Sequence, residues 1–111
     1  MSLEDILEAI KNQTKNQAKT GIRHGVKVVT TAGTDVVLAV NTVAKIVIIQ
    51  AQTDNTGAIA VGAFGVDATV ATGTGILLYA GDSITLEIDN LADIYIDSTV
   101  NGEGVRYIYL T

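Results

Sequence analysis

The chain predicts an all-β fold: an antiparallel sandwich or jelly-roll-like barrel of about eight or nine short strands, preceded by an N-terminal α-helix. Three observations carry this. The stretch "GDSITLEIDN" (Gly81 to Asn90) alternates polar and apolar residues, with Ile84, Leu86 and Ile88 on one side of an extended chain and Ser83, Thr85, Glu87 and Asp89 on the other. Similar short runs recur after residue 25, separated by "TAGT", "NTVA", "TDNTG", "AFG", "TGTG", "GD", "NLA" and "NGEG". Gly, Asn and Asp in these breaks supply the positive φ angles of tight turns, and there is no proline to shape them otherwise. No long helical pattern lies between the runs, which argues against a parallel α/β sheet.

Taken in order, residues 2–20 predict a helix. Ser2 caps it, with Asp5 answering three residues on. Leu3, Ile6, Leu7 and Ile10 fall at the i, i+3, i+4, i+7 spacing of one apolar stripe. "KNQTKNQAKT" (Lys11 to Thr20) then offers only Ala18, so the stripe is short and needs a surface to dock on. That surface is either the β domain, other copies of the helix, or another protein. "TGIRHG" (Thr20 to Gly25) reads as a joint, dividing residues 1–25 from a β domain of residues 26–111. The expected strands are Val26–Thr30, Asp35–Val40, Lys45–Ala51, Ala58–Gly62, Val66–Val70, Ile76–Ala80, Ser83–Ile88, Asp93–Asp97 and Val105–Leu110.

Two of these strands are apolar on both faces. "KIVIIQA" sets Ile46 and Ile48 against Val47 and Ile49; "VRYIYL" sets Val105, Tyr107 and Tyr109 against Ile108 and Leu110. A two-layer sandwich needs one apolar face per sheet. The second face is expected under the N-terminal helix or against a partner subunit. Leu3, Ile6, Leu7, Ile10, Tyr107 and Tyr109 are therefore the expected partner or oligomer contacts.

Composition narrows the function. At 111 residues the chain is one domain, 48% hydrophobic and only 17% charged. There is no cysteine, hence no disulfide and no thiolate metal site. The longest apolar runs are a few residues, no signal peptide is visible, and the expectation is a chain made in the cytoplasm with no membrane partner. Residues 1–27 carry three acids and five bases, a balance of +2; residues 28–111 carry nine acids and two bases, a balance of −7. Such a body repels phosphate backbones, so no nucleic-acid partner is expected.

Chemistry-bearing patterns are sparse, and no enzyme activity and no cofactor are expected. His24 is the single histidine and reads as an exposed linker residue. Ser2, Ser83 and Ser98 sit in no nucleophile elbow. "GTGILLYAG" and "NGEGV" lack the Gly-Lys-Ser/Thr ending of a phosphate loop and read as turns. Asp89, Asp93 and Asp97 recur at four-residue spacing around Asn90, an arrangement of oxygens that calcium could use, although the "NLA" turn breaks the register. Tyr95, Tyr107 and Tyr109 read as core or subunit-contact packing, with a shallow carbohydrate site as the other use of them.

"TDNTGAIAVG" (Thr53 to Gly62), "YAGDSITLEIDNLADIYID" (Tyr79 to Asp97) and "VNGEGVRYIYL" (Val100 to Leu110) resemble small β-sandwich accessory proteins encoded among the virion genes of tailed bacteriophages. The resemblance covers about residues 26–111. It implies a structural virion protein, most plainly a homotrimeric capsid decoration protein bound to the major capsid or other virion proteins, with an N-terminal segment that attaches to the shell. It equally covers head-fibre, tail and connector components. A receptor- or carbohydrate-binding fibre head, using the loops Asp54–Gly57 and Gly102–Gly104, is the alternative. The resemblance carries over no catalytic residue.

Overall fold

A computed structural model describes residues 2–7 and 21–111. The described chain is mostly β, with eight strands: β1 Ile22–Val29, β2 Val36–Val37, β3 Ile46–Ala51, β4 Ile59–Gly62, β5 Ile76–Leu78, β6 Ser83–Glu87, β7 Tyr95–Ser98 and β8 Glu103–Leu110. They form two antiparallel four-stranded sheets, ordered β1-β8-β3-β6 and β2-β7-β4-β5. A single 3₁₀ turn, Leu91–Asp93, precedes β7.

The core lies between the sheets. Val29, Val47, Ile49, Ala51 and Val105 from the first sheet meet Ile59, Val61, Leu78 and Ile96 from the second, with Leu38, Leu91 and Ile94 closing the ends. The period-2 pattern places them there: in β3, Val47, Ile49 and Ala51 are buried while Ile48 between them is exposed. Ile84 and Leu86 of β6 pack on the same core while Ser83, Thr85 and Glu87 face water.

Residues 3–7 are helical, and the expected capping box is formed: Asp5 N–H donates to Ser2 Oγ and Ser2 N–H to Asp5 Oδ2, both at 3.2 Å. The remainder of the helix expected over residues 2–20 lies outside the described residues.

Three local expectations need correction, the first being that the strand expected over Asp35–Val40 is only Val36–Val37. Residues 22–25, read as part of a joint, are strand: Ile22 pairs with Leu110 and Gly25 with Tyr107, so His24 sits in β1 and not in a linker. Val66–Val70 is not a strand. Val66 and Ala68 alternate inward as a strand would, but the backbone bonds go elsewhere. Ala68 N–H donates to the Asp97 carboxylate at 2.9 Å, Thr74 N–H to Asp67 O at 2.9 Å and Gly73 N–H to Thr69 O at 2.7 Å. Side-chain oxygens have replaced a ladder partner. The segment 63–75 is a folded loop laid over the outer side of the second sheet.

Candidate functional site

The two sheets finish their outer sides differently, and the difference locates the site. On the second sheet, Ala60, Leu77, Tyr95 and Asp97 point outward. The loop 63–75 covers them: Val66 and Ala68 pack on Ala60, and Phe64 meets Tyr95 edge to face at 5.4 Å. The Asp97 carboxylate, 1% exposed, ties the cover down. It accepts from Gly33 N–H at 3.0 Å and from Ala68 N–H at 2.9 Å, so its buried charge is met by two donors from two loops.

On the first sheet nothing among the described residues plays that part. Its outer side is a grid set by register. One cross-strand row is Ile22, Leu110, Ile46 and Glu87; the next is His24, Ile108, Ile48 and Thr85; the next is Val26, Arg106, Gln50 and Ser83. Ile22 is 67% exposed, Val26 61% and Ile48 41%. A concavity of about 450 Å³ lies here, between His24, Val26, Ile48, Gln50, Arg106 and Ile108. Ile108 and Ile48 lie side by side on the central strands β8 and β3, with Arg106 and Gln50 in the next row of the same two strands. Arg106 Nε donates to Gln52 Oε1 at 3.3 Å and Gln50 Nε2 to Gly81 O at 3.1 Å, which holds two rim side chains in place. An apolar centre with a polar rim is the anatomy of a protein–protein contact.

The expected contact residues divide into three sets. Leu3, Ile6 and Leu7 are exposed. Ile10 lies outside the described residues. Tyr107 and Tyr109 point to the inner side of the first sheet, partly buried against the core, with their rings 6.0 Å apart. Tyr107 lies over Gly25, where any Cβ would run into the ring. Burial, and secondarily the neighbouring Tyr109, raises the Tyr107 hydroxyl above its usual 10.0.

The loops Asp54–Gly57 and Gly102–Gly104 do come together at one end of the sandwich, but they hold each other. Glu103 accepts from Thr56 N–H at 2.7 Å, Gly57 N–H at 2.9 Å and Thr56 Oγ1 at 3.0 Å; Asn55 Nδ2 donates to Gly104 O at 2.9 Å. The Thr56 and then the Gly57 N–H hold the Glu103 carboxyl below the usual 4.5. Asp67 is likewise lowered, first by Thr69 N–H and then by its hydroxyl.

Asp89, Asp93 and Asp97 are not gathered. Asp97 is buried in β7, while Asp89, ahead of the 3₁₀ turn, and Asp93, its last residue, are exposed. Asn90 between them serves as a staple: its Oδ1 accepts from Thr42 N–H at 3.0 Å and Ala92 N–H at 2.9 Å. Among the described residues no group of three or more His, Cys, Asp or Glu side chains could hold a metal ion. No described helix is long and apolar enough to cross a membrane.

Sequence reasoning missed β1's contribution to the open side. The signal was present: Ile22, Val26 and Val28 continue a period of two back through the supposed joint, with the polar His24 interrupting it. Comparison of the chain with protein-family models, curated proteins and solved structures gave no match.

Proposed function

We propose that the chain is a structural virion protein of a tailed bacteriophage, a capsid decoration protein that works as a homo-oligomer by burying apolar surface between protein copies. The observation that carries the interaction half of this reading is the open outer side of the first sheet, with Ile22, Val26, Val28, Ile48 and Ile108 exposed beside a second sheet whose outer side is covered. Contiguous apolar surface left exposed on one side of a folded body is what a partner covers. The virion half comes from the resemblance of residues 26–111. In this reading Leu3, Ile6 and Leu7 attach the body to the shell, and no cofactor or catalytic group is required.

Strand order supports the jelly-roll form of the sandwich. The pairs β1·β8, β2·β7, β3·β6 and β4·β5 nest inside one another, as in a long antiparallel ribbon folded at β4–β5 and rolled so that β8 meets β3 and β7 meets β4. Rolls of this kind occur in viral shells, which is a fold-level analogy only. A fibre head binding through the 54–57 and 102–104 loops is less favoured, because the Glu103 carboxylate and the Thr56, Gly57 and Asn55 donors are engaged with each other.

The test is co-sedimentation with tailed-phage capsids stripped of their outer layer. Wild type is expected to bind and the full chain carrying Leu3→Asp, Ile6→Asp and Leu7→Asp to lose binding while keeping its far-UV spectrum. Failure of wild type to bind, or undiminished binding by the variant, contradicts the reading.

A further inference from the structure

The three rows on the open side of the first sheet carry His24, Arg106 and Glu87 as their ionisable groups, and the register fixes where each stands. Arg106 is on β8 in the row of Gln50, and Glu87 is on β6 in the row of Ile46. Ile48 is on β3, between those two strands, in the row between those two rows. It is therefore one strand and one row from Arg106 and one strand and one row from Glu87, about 8 Å from each in opposite directions. Ile46 and Ile108 are its immediate neighbours along β3 and across to β8.

Charge and area both bear on what covers this side. Residues 28–111 carry nine acids and two bases, so most of the body repels another copy of itself. The open side, with one acid and one base about an apolar centre, does not. Its strands are eight, eight, six and five residues long, which makes a face of about 22 Å by about 19 Å. Two such faces bury on the order of 1,000 Å² together, the lower end for a specific contact, so the pair forms and parts with concentration.

One open side laid on another about an axis in the plane of contact, through Ile48, leaves only the direction of the axis to choose. An axis along the strands sets Glu87 on Leu110 and Arg106 on Ser83 of the other copy. An axis across the strands sets Arg106 on Leu110 and Glu87 on Ser83. Each puts one charge on an apolar side chain, where it is desolvated without a partner. An axis along the diagonal from Arg106 to Glu87 sets like on like, which is repulsive. The axis at right angles to that diagonal sets Arg106 on Glu87 and Glu87 on Arg106, with Ile48 on Ile48 and Ile108 close to Ile46. His24 comes down by Leu110 at the border. The strands of the two copies then cross at about 70°, nearer the orthogonal than the aligned class of sheet packing.

We infer that a second copy of this chain covers the open side face to face, about a two-fold axis through Ile48, with Arg106 of each copy paired to Glu87 of the other. Such a contact is isologous and closes at two copies. The inference rests on the reading above that copies associate, but it fails separately: binding to stripped capsids by a chain that stays monomeric removes the inference alone, and a two-fold pair that does not bind capsids removes the virion reading alone.

The experiment is analytical ultracentrifugation of the full chain and its variants at low salt, where exposed charges are least screened. Glu87→Lys and Arg106→Glu each set like charges at both ends of the contact, and each alone is expected to weaken self-association by at least about tenfold. Mixed in equal amounts, the two variants meet with opposite charges at both ends and are expected to associate to within about threefold of wild type. That rescue requires the pair to form between copies. A third variant, Ile48→Asp, sets acid on acid at the axis and is expected to be monomeric, whatever the fate of the ion pairs. Amide exchange at Val47 and Ile49 in the core reports that each variant remains folded. A wild type that stays monomeric overturns the inference, including one whose open side is covered by its own N-terminal segment. So does an assembly that is indifferent to both single reversals, or a mixture that associates no better than either variant alone.

Discussion

The outer sides of the two sheets face the same physical problem and resolve it differently. On the second sheet the chain supplies its own cover: thirteen residues, 63–75, carry Val66 and Ala68 down onto Ala60, and Asp97 fastens them with a charged acceptor. On the first sheet Ile22, Val26, Ile48 and Ile108 stand exposed in a register that puts Ile48 and Ile108 side by side. Both sheets are antiparallel and four-stranded; what differs is whether the next layer is encoded in the described part of the chain. The proposed function assigns that open side to a second chain.

Breaking the cover is expected to have the largest effect. Asp97→Ala leaves the buried Ala68 N–H without its acceptor and Gly33 N–H with only Ser98 O at 3.3 Å, and a loss of about 2 kcal/mol in urea unfolding is expected. Loss under 1 kcal/mol shows that the loop is held by packing instead. Val66→Ala removes two methyl groups from the same cover, with an expected loss of about 1.5 kcal/mol and faster amide exchange confined to residues 63–75. Exchange that accelerates equally in both sheets would mean that the cover is not a separate layer.

The end of the sandwich sharpens the comparison through pH. The folded Glu103 carboxyl is held below 4.5 by the Thr56 and Gly57 N–H groups. Its contribution to stability is complete above the unfolded value and lost as pH falls through the folded value, because the unfolded chain binds the proton first. Glu103→Gln is expected to reduce the drop in melting temperature between pH 6 and pH 3. An unchanged drop assigns acid sensitivity to other carboxylates, Asp67 first among them.

The smallest effect on folding is expected on the open side. Ile48→Thr and Val26→Thr keep β-branched side chains on exposed strand positions and should change unfolding free energy by no more than about 0.5 kcal/mol. They should nonetheless weaken self-association. Destabilisation beyond about 1 kcal/mol would mean that these residues already pack within the monomer.

Much of the fold was legible because burial writes a period of two. β3, β6 and β8 fall close to where alternation places them, and the doubly apolar runs "KIVIIQA" and "VRYIYL" mark the two central strands of the first sheet. Alternation failed where side chains took over backbone bonding. Val66 and Ala68 alternate because they cover a sheet, not because they belong to one, and only the Asp97 contact, 29 residues away, distinguishes the two. β1 was begun four residues late because His24 and Gly25 read as linker; Gly25 is there to admit the Tyr107 ring, a cross-strand requirement that local pattern does not express. The candidate surface was legible as a surplus of apolar faces, but its edges and charges required the strand order, which pairs β1 with β8 across the length of the domain.

The central claim is that the open side of the first sheet exists to be covered by another protein copy. Amide hydrogen exchange on the wild-type chain, at micromolar and at millimolar concentration, tests it most directly. The account predicts that Ile22, His24, Val26 and Val28 gain protection as concentration rises while residues 63–75 do not change. Identical exchange at both concentrations, with a monomer throughout, would contradict it.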